Sequence, residues 1–540
     1  MFFNVQDSWF EVALICTTLV NSIPDDMSAV MERILTVFFS DDSHNLNAAG
    51  VNLELADGAH VVIFADVAFT IADEAALHAI YGCKGSSGLK PCLCCVNVYN
   101  GNTTRQVVER DRSRTAVYHT CTDISKFKFV TPAVLDAILR RLTAASKSER
   151  DALETDLGWK HLPRGIMYNP GSRARMCPSD RVNYDWAHIL FVNGIFNGHA
   201  GMLLHKLRQL GVKLATLESY VKSFKWPRST SDSISPKDVF SESRLKISMA
   251  AKTLKCTASE GLSLVPVLAM FCAQLCAHDD AEVRAHAYGF VLLSRVVSMI
   301  VRVVRGLTDR DALKRRTEEY GAQFIRLYGE ENAPPKFHYM FHIGFYRWIL
   351  NCLVHERKHK CIKKFANQLY NTSIDWDQSI LREVTCGHVT RLVNAPFSQF
   401  AASACLHSGR VPSKKLHASL APIIGDFPRD AVNVSRCARV SRYEKATVRD
   451  IVSVGTAEPP ILGEIMFHVS VTSGGTTQCA SVLRELSIES AHAGCWKCRK
   501  LPGHIVVETQ DIQTALIWGG KPSGTLTALQ PLHATDSQDI

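Results

Sequence analysis

The sequence predicts an α/β protein with a long α-helical middle and a small β-rich C-terminal part. Near the N-terminus, segments 51–55 and 60–70 are apolar and β-branched, and they flank Asp57-Gly58, a pair typical of hairpin turns. Between 131 and 330, apolar residues recur at helical spacing, as in AEVRAHAYGFVLLSRVVSMIVRVVRG, with Gly306 as the expected C-cap. After about residue 385, Gly, Ser, Thr and Val become frequent, and runs such as ILGEIMFHVSV predict strands.

Length and composition are typical of a folded protein with two or three domains. The chain has 540 residues, of which 46% are apolar and 21% are charged, so wholesale disorder is excluded. Its net charge of +9 permits a nucleic-acid partner but does not require one.

The 18 cysteines predict reduced thiols and metal ligands rather than a disulfide framework. The N-terminal stretch WFEVALICTTLV contains Glu11 and lacks a basic region, so it does not resemble a secretory signal. The longest apolar run, FVLLSRVVSMIVRVV, is interrupted by Arg295 and Arg302. We therefore expect an intracellular protein without a membrane span.

Two half-motifs predict one zinc site. Cys92-x-x-Cys95 lies in the turn-forming sequence GSSGLKPCLCC, and His338 and His342 are one helical turn apart in KFHYMFH. Zinc takes four sulfur or nitrogen ligands in a tetrahedron, so each pair supplies half of a site. Two alternatives stay open, namely a Cys-rich buried turn in which Cys94 competes as a ligand, and a core helix with two hydrogen-bonded histidines.

Acidic residues flank both half-motifs and predict a second metal site, for Mg²⁺ or Mn²⁺, built from oxygen ligands. Asp73 follows the predicted strand before the cysteines, and Glu356 follows the histidines. Asp66 competes with Asp73, for which a helix N-cap is the structural alternative. For Glu356 the alternative is a solvated helix face, although the basic run HERKHKCIKK around it would suit phosphate contacts.

Other polar pairs are weaker site candidates. Asp185 and His188 lie one helical turn apart in YDWAHILFVNG, where a structural hydrogen bond is as good an interpretation as catalysis. Cys495-x-x-Cys498 has no second pair nearby, so it is a poor metal candidate. The run PCLCC matches half of a zinc deaminase motif, but no H-x-E accompanies it, which excludes that class.

The order of these motifs resembles the CACTA (En/Spm-type) DDE transposases. The matching segments, in family order over about residues 9–385, are FTIADEAAL, GSSGLKPCLCC, YDWAHILFVNG, PPKFHYMFHIGFYRW and HERKHKCIKKFANQ. The resemblance implies an RNase H-like core, a large α-helical insertion and a DDE triad that binds two Mg²⁺ or Mn²⁺ ions. These cations would activate water for strand cleavage and then the freed 3′-hydroxyl for attack on target DNA.

Carried onto this sequence, the resemblance implies a role for most of the candidate residues. Asp73 looks like the second triad acid and Glu356 like the third, while the two Cys and two His residues look like the zinc set that ties the insertion to the core. Asp185 and His188 match the family's D-x-x-H segment, whose role stays open. The residues expected to contact phosphate are Arg357, Lys358, Lys363 and Lys364.

The implied domain organisation has five parts. It comprises a partial core with the zinc knuckle at 1–130, an α-helical insertion at 131–330, the end of the core at 331–385, a basic linker at 386–450 and a small β-rich accessory domain at 451–540.

The first triad acid departs from the family pattern. It is expected on a strand before WFEVALI, where Asp7 is the sole acid and lies too close to Trp9 to match. We therefore expect a truncated or decayed transposase with an N-terminally incomplete core and doubtful activity. The alternatives are a non-catalytic, zinc-stabilised DNA-binding or assembly protein, and a zinc-stabilised protein unrelated to DNA. The resemblance also implies a DNA partner and a nuclear location, and it is compatible with a homo-oligomer.

Overall fold

The chain forms two compact units. The computed structural model describes residues 12–13, 15, 17–39, 45–55, 57–109, 115–227, 236–304, 308–346, 349–350, 352, 362–363, 376–394, 405–440, 445–455, 459–492, 495–520 and 524–530. Unit 1 comprises Met1–Phe196 and Val303–Arg391, and unit 2 comprises Asn197–Arg302 and Leu392–Ile540. Both helices and strands are present, which confirms the predicted α/β class.

Unit 1 combines helices with short strands. Its helices are α1 (Thr17–Ser22), α2 (Asp26–Phe39), α3 (Glu74–Tyr81), α4 (Arg105–Glu109), α5 (Pro132–Ala144), α6 (Lys147–Leu157), α7 (Pro170–Arg175), α8 (Pro178–Arg181), α9 (Trp186–Phe191), α15 (Arg310–Tyr328), α16 (Pro335–His342) and α17 (Trp376–Asn394). Its strands are β1 (Val51–Glu54), β2 (His60–Ile63), β3 (Thr70–Ala72), β4 (Val98–Tyr99), β5 (Val117–Tyr118) and β6 (Val182–Tyr184).

The strands of unit 1 pair two by two. Strands β1 and β2 form the predicted antiparallel hairpin, with Val51 opposite Ile63, and β3 runs parallel to β6, with Ala72 opposite Tyr184. Strand β2 ends at Ile63, so the predicted strand 60–70 is two separate strands. Among the described residues these pairs do not join into one sheet, and the RNase H-like core stays a prediction.

Local capping signals fix the helix ends in unit 1. The segment 131–157 forms two helices because Ser146 caps the second one, its side chain and that of Glu149 forming a reciprocal capping box. Helix α3 begins after the N-cap Asp73 and ends at Gly82, which adopts a left-handed conformation with φ of 72°. Between these two caps, α3 buries Leu77, Ile80 and Tyr81.

Unit 2 contains a helical part and a β-rich part. Its helices are α10 (Ile195–Gln209), α11 (Leu214–Ser223), α12 (Glu242–Ala251), α13 (Ala258–Leu275), α14 (Ala281–Val304) and α18 (Lys414–Ile424). Its strands are β7 (Phe224–Lys225), β8 (Cys405–His407), β9 (Val432–Ser435), β10 (Cys437–Arg439), β11 (Lys445–Thr447), β12 (Ile451–Val454), β13 (Ile461–Ser473), β14 (Thr476–His492), β15 (Cys495–Glu508), β16 (Ile512–Gly520) and β17 (Thr525–Leu529).

Six strands of unit 2 close into a barrel. They follow the order β12, β13, β14, β15, β17 and β16, and the ring closes because β16 also pairs with β12. Every neighbouring pair is antiparallel. Gly474 and Gly475 join β13 to β14 with φ of 58° and 80°, the conformation that a tight two-residue hairpin requires. All six strands supply the buried core cluster of Ile451, Leu462, Leu486, Trp496, Cys498, Leu516, Leu526 and Ala528.

The segment predicted as a basic linker contains ordered secondary structure. Residues 405–440 and 445–450 include α18 and strands β8 to β11, and β10 pairs with both β8 and β11. Ala438 and Ala446 are fully buried on one side of this small sheet, and Ala446 belongs to a second core cluster together with barrel residues such as Val452 and Ile465. These strands were hard to predict because each has only three or four residues, and β10 and β11 bury only alanine side chains.

Two helices are long and apolar enough to cross a membrane by length and composition alone. They cover Ala258–Leu275 and Ala281–Val303, and 39% and 67% of these windows are buried within the protein. Core helices of soluble proteins pass the same test, so this is weak support for a membrane span.

Candidate metal centre

Four side chains from two distant parts of unit 1 meet in one buried cluster. Cys92 and Cys95 lie on the loop that follows α3, and His338 and His342 lie one turn apart on α16. Their four potential ligand atoms are all within 4.8 Å of one another, and all four residues are buried. The structure therefore brings together the four residues that the sequence selected, in a cluster that could hold a metal ion such as zinc.

Three of the six ligand–ligand distances within the cluster are close to the edges of a zinc tetrahedron. The Nε2 atom of His342 lies 3.2 Å from the Cys92 sulfur, 3.5 Å from the Cys95 sulfur and 3.0 Å from the His338 Nε2. Ideal bond lengths of about 2.3 Å to sulfur and 2.05 Å to nitrogen give edges of about 3.5 Å for S–N and 3.3 Å for N–N. The residues present thus fit a tetrahedral S₂N₂ ion.

The ionisation of Cys92 and His338 suits a metal, whereas burial and the hydrogen bond to Cys92 raise the pKa of the Cys95 thiol well above its usual range. Burial raises the pKa of the Cys92 thiol, but hydrogen bonds from Cys94 and Cys95 and the two imidazoles hold that pKa well below its usual range. Burial lowers the pKa of His338, which favours its neutral ring. A thiolate beside a neutral imidazole is the form that binds zinc.

The loop that carries the cysteines needs glycine at a close approach. Gly85 has φ of 55°, and a Cβ atom at that position would lie 2.4 Å from Nδ1 of His78. A side chain at this position would strain the backbone and would collide with the imidazole ring of His78, a residue of α3. The Gly85 position therefore sets how closely the cysteine loop packs on α3.

Aromatic side chains hold the histidine helix against the cysteine loop. Tyr339 stacks on Tyr184 with 4.5 Å between ring centroids, and its hydroxyl donates to the Pro91 carbonyl at 3.0 Å. Phe127 meets the His338 ring edge-on at 4.6 Å. These contacts exclude water from the cluster and orient both halves of it before any ion binds.

Two further polar links tie this region together, and the sequence pattern did not point to either. His119 bonds through Nε2 to the Ala333 carbonyl at 2.8 Å, and its Nδ1 accepts from the Gly101 N–H at 2.9 Å. Lys336 on α16 donates from Nζ to the Val192 carbonyl at 2.8 Å, just beyond the end of α9. Single His and Lys residues carry no spacing signal, so only the folded chain identifies these partners.

The two predicted acids Asp73 and Asp185 follow neighbouring parallel strands. Asp73 comes directly after β3 and Asp185 directly after β6. Asp73 is exposed, and its carboxylate accepts the Ala76 N–H at 2.8 Å as the N-cap of α3. Beside it, burial raises the pKa of Glu74, and the Lys336 ammonium partly offsets that rise. The N-cap alternative for Asp73 is therefore the role that the described contacts support.

Asp185 is buried and fully engaged by hydrogen bonds. One carboxylate oxygen accepts the Ala187 N–H at 2.8 Å, and the other accepts the Cys352 N–H at 2.9 Å and lies 2.5 Å from Nδ1 of His188. The Asp185 and His188 side chains thus form the structural hydrogen bond that was one of the two interpretations of this motif.

Of the remaining predicted site residues, those that the structure describes do not join the cluster. Asp66 forms an ion pair with Arg175 at 2.8 Å, and Lys363 is exposed. Cys495 and Cys498 lie three apart on strand β15, which directs them to opposite faces, and Cys498 belongs to the barrel core. Outside the described residues lie Glu356, Arg357, Lys358 and Lys364, together with Asp7 and Gly306.

The described carboxylates alone do not form a cation site. Across the ranges that the structure describes, the Cys92, Cys95, His338 and His342 set is the only group of three or more Cys, His, Asp or Glu side chains with ligand atoms close enough to share an ion. The Mg²⁺ or Mn²⁺ site implied by the resemblance therefore depends on Glu356, whose position is not described.

Comparisons with known proteins identify no relative of this chain. No family model, no curated protein and no solved structure matches it.

Proposed function

We propose that this protein is of transposase descent and acts on DNA, and that a zinc ion at the Cys₂His₂ cluster holds its catalytic region together. In this proposal Asp73 and Glu356 are the carboxylates that bind Mg²⁺ or Mn²⁺ for DDE-type strand cleavage and transfer. The convergence of Cys92 and Cys95 with His338 and His342 carries the proposal.

The cluster supports the proposal because it links two segments that are far apart in sequence. Cys92 and His342 are 250 residues apart in sequence, and the cluster joins the two ends of this long segment. When bound, zinc would supply a structural crosslink, since four protein ligands leave no open position for water or substrate. The protein itself contributes the aromatic packing of Tyr184, Tyr339 and Phe127 that orients the ligands.

The β3–β6 pair supports the location of the chemistry. In parallel sheets, ligands bind outside the carboxyl ends of the strands, and Asp73 and Asp185 follow two such ends directly. Lys336 and Glu74 lie near Asp73 and make this edge rich in charged groups. In the proposal, Asp73 is the ligand at this edge and Asp185 positions His188 and the backbone around Cys352.

A second candidate is a non-catalytic DNA-binding or assembly protein built on the same scaffold. The hydrogen bonds of the described acids favour it, because Asp185 has donors on both oxygens and Asp73 caps α3. Acids engaged in this way stabilise the fold whether or not a cation binds.

A nicking experiment separates the two candidates. The full chain, loaded with zinc, is incubated with end-labelled duplex DNA and Mn²⁺, and the products are resolved on a denaturing gel. Because the first triad acid is unassigned, we expect only weak nicking from the unmodified chain, and we expect none from Asp73→Asn or Glu356→Gln. The matched control is Glu109→Gln, which removes an exposed acid already paired with Arg105 at 2.7 Å and is expected to nick as the unmodified chain does.

The outcomes lead to different conclusions. DNA binding without nicking supports the non-catalytic candidate. Nicking that persists in both variants also supports it, because a contaminating nuclease would then account for the nicks. If the chain shows no salt-dependent binding to DNA, both candidates fail and a protein unrelated to DNA remains.

A further inference from the structure

The small sheet of unit 2 carries a positively charged outer face. Strand β10 pairs with β11 so that Arg439 lies directly opposite Lys445. Both side chains are exposed, while Ala438 and Ala446, which alternate with them, are buried on the other side. Arg449 is also exposed in the turn after β11. We call Arg439, Lys445 and Arg449 the basic face.

Two like charges of the basic face lie opposite each other, and the described part of the chain supplies no counter-charge. Like charges directly opposite on neighbouring strands destabilise a sheet by roughly 0.2–1 kcal/mol. None of the three cations has an ion pair with any acid that the structure describes. The nearest acid in sequence among those residues, Asp450, is buried and accepts the Thr447 N–H at 2.8 Å. An external anion would therefore relieve a repulsion that the described acids leave in place.

A second feature of the same segment points to the same chemistry. Helix α18 begins after the N-cap Ser413, and its first two residues are the exposed lysines Lys414 and Lys415. The N-terminal end of a helix carries a partial positive charge, so lysines there are unfavourable in the isolated protein and become favourable beside a bound anion. No acidic residue lies in that first turn.

We propose that the basic face and the start of α18 contact the phosphate backbone of DNA and make unit 2 a sequence-independent DNA-holding module. Arginine and lysine neutralise phosphates without reading bases, which suits this role. An anionic membrane is less suitable, because membrane-surface segments also insert apolar side chains and Val411 is the only exposed large apolar residue among those described from 405 to 455. The inference rests on the proposed function, since it assigns DNA as the partner.

The test is the salt dependence of DNA affinity for charge-matched variants. Binding of a fluorescent 30-bp duplex is measured by anisotropy between 50 and 200 mM salt for the unmodified chain and for Arg439→Gln/Lys445→Gln and Lys414→Gln/Lys415→Gln. The control, Lys222→Gln/Arg499→Gln, removes two cations of unit 2 that already pair with Glu218 at 2.5 Å and Glu489 at 2.7 Å.

Each double variant is expected to bind roughly tenfold more weakly and to flatten the slope of log affinity against log salt by about 2, or about 0.9 per lost phosphate contact. The control keeps the slope of the unmodified chain. If the chain binds DNA and the test variants match the control, this inference fails and the proposed function stands. If the unmodified chain binds no DNA, both fail. Lost binding to phosphatidylserine vesicles with intact DNA binding would also overturn the inference.

Discussion

In unit 1, distant parts of the chain meet at a cluster of Cys and His side chains. In unit 2, distant parts of the chain meet as hydrogen-bonded strands of a closed β-barrel. Cys92 and Cys95 face His338 and His342 in a buried cluster that could hold a metal ion. The barrel of unit 2 closes when β16 pairs with β12, and side chains of all six strands fill it. We therefore expect unit 1 to be stabilised by a metal ion and unit 2 by its own backbone pairing and apolar core.

Metal removal is expected to break this comparison most strongly. Chelation, or the double change Cys95→Ser/His342→Ala, leaves the other ligands buried without an ion, so unit 1 loses about 4 kcal/mol, the linkage value for a metal at a thousand times its dissociation constant. Hydrogen exchange should show lost protection in α9 and α16 and unchanged protection in β13–β15.

The control for this prediction is Cys94→Ser. It alters a buried thiol next to the cluster but keeps a donor to the Pro178 carbonyl, which Cys94 reaches at 3.7 Å. This variant should keep unit 1 protected. Equal loss of protection in both units after chelation would show that the units do not differ in metal dependence.

Acid is expected to destabilise unit 2 through His468. Its buried ring bonds to the Ser481 hydroxyl at 2.7 Å and to the Ala446 carbonyl at 3.0 Å, and burial lowers its pKa from 6.5 to about 4. Above pH 6.5 the ring is neutral in both states and its contribution is complete. As the pH falls from 6.5 to 4, only the unfolded chain takes up the proton, so about 3 kcal/mol of stability is lost.

Urea unfolding of unit 2 at several pH values measures this loss, with His468→Gln as the comparison. The variant should be less stable at pH 7 but should show a smaller loss from pH 6.5 to 4. Identical pH profiles for the two proteins would mean that His468 is not the titrating group.

Asp185→Asn tests the polar contacts of unit 1 that do not involve the metal cluster. The change removes the charge that accepts from Ala187, Cys352 and His188, so we expect a loss of about 2 kcal/mol in unfolding free energy. The zinc content should stay unchanged, because none of these contacts includes a cluster ligand. Zinc loss in this variant would show that the two parts of unit 1 are coupled.

Asp73→Ala gives the smallest expected change in stability. Loss of the N-cap of α3 removes about 1 kcal/mol. Thermal unfolding of Asp73→Ala and Asp73→Ser sharpens the comparison, because serine restores the cap but not a carboxylate. If Asp73→Ser recovers stability while nicking stays absent, the carboxylate has a role beyond the cap. Recovery of both would limit Asp73 to capping.

Short-range signals in the sequence predicted the metal centre and the first hairpin. A C-x-x-C turn and an H-x-x-x-H helix each restrict where their ligands can point, and only a shared ion satisfies both pairs. Asp57-Gly58 between two apolar runs predicted the β1–β2 hairpin for the same local reason. In each case a few neighbouring residues determine the geometry.

Contacts between distant segments could not be predicted in this way. Strand β12 pairs with β16 although three strands lie between them in sequence, and no sequence motif predicts this pairing. The segment 386–450 resembles a linker in sequence because its buried positions include Ala438 and Ala446, which give little apolar signal. The sequence left two roles open for each of two acids. Asp73 could cap a helix or bind a catalytic cation, and Asp185 could form a structural hydrogen bond or take part in catalysis.

Metal content of the purified chain tests the central claim most directly. Reconstitution with Zn²⁺ or Co²⁺ and elemental analysis should give one ion per chain, with a thiolate-to-cobalt charge-transfer band in the Co²⁺ form. Cys92→Ser and His342→Ala should each lose the ion, while Cys94→Ser keeps it. A chain that binds no metal, or one that retains a tightly bound ion after both ligand changes together, would contradict the account.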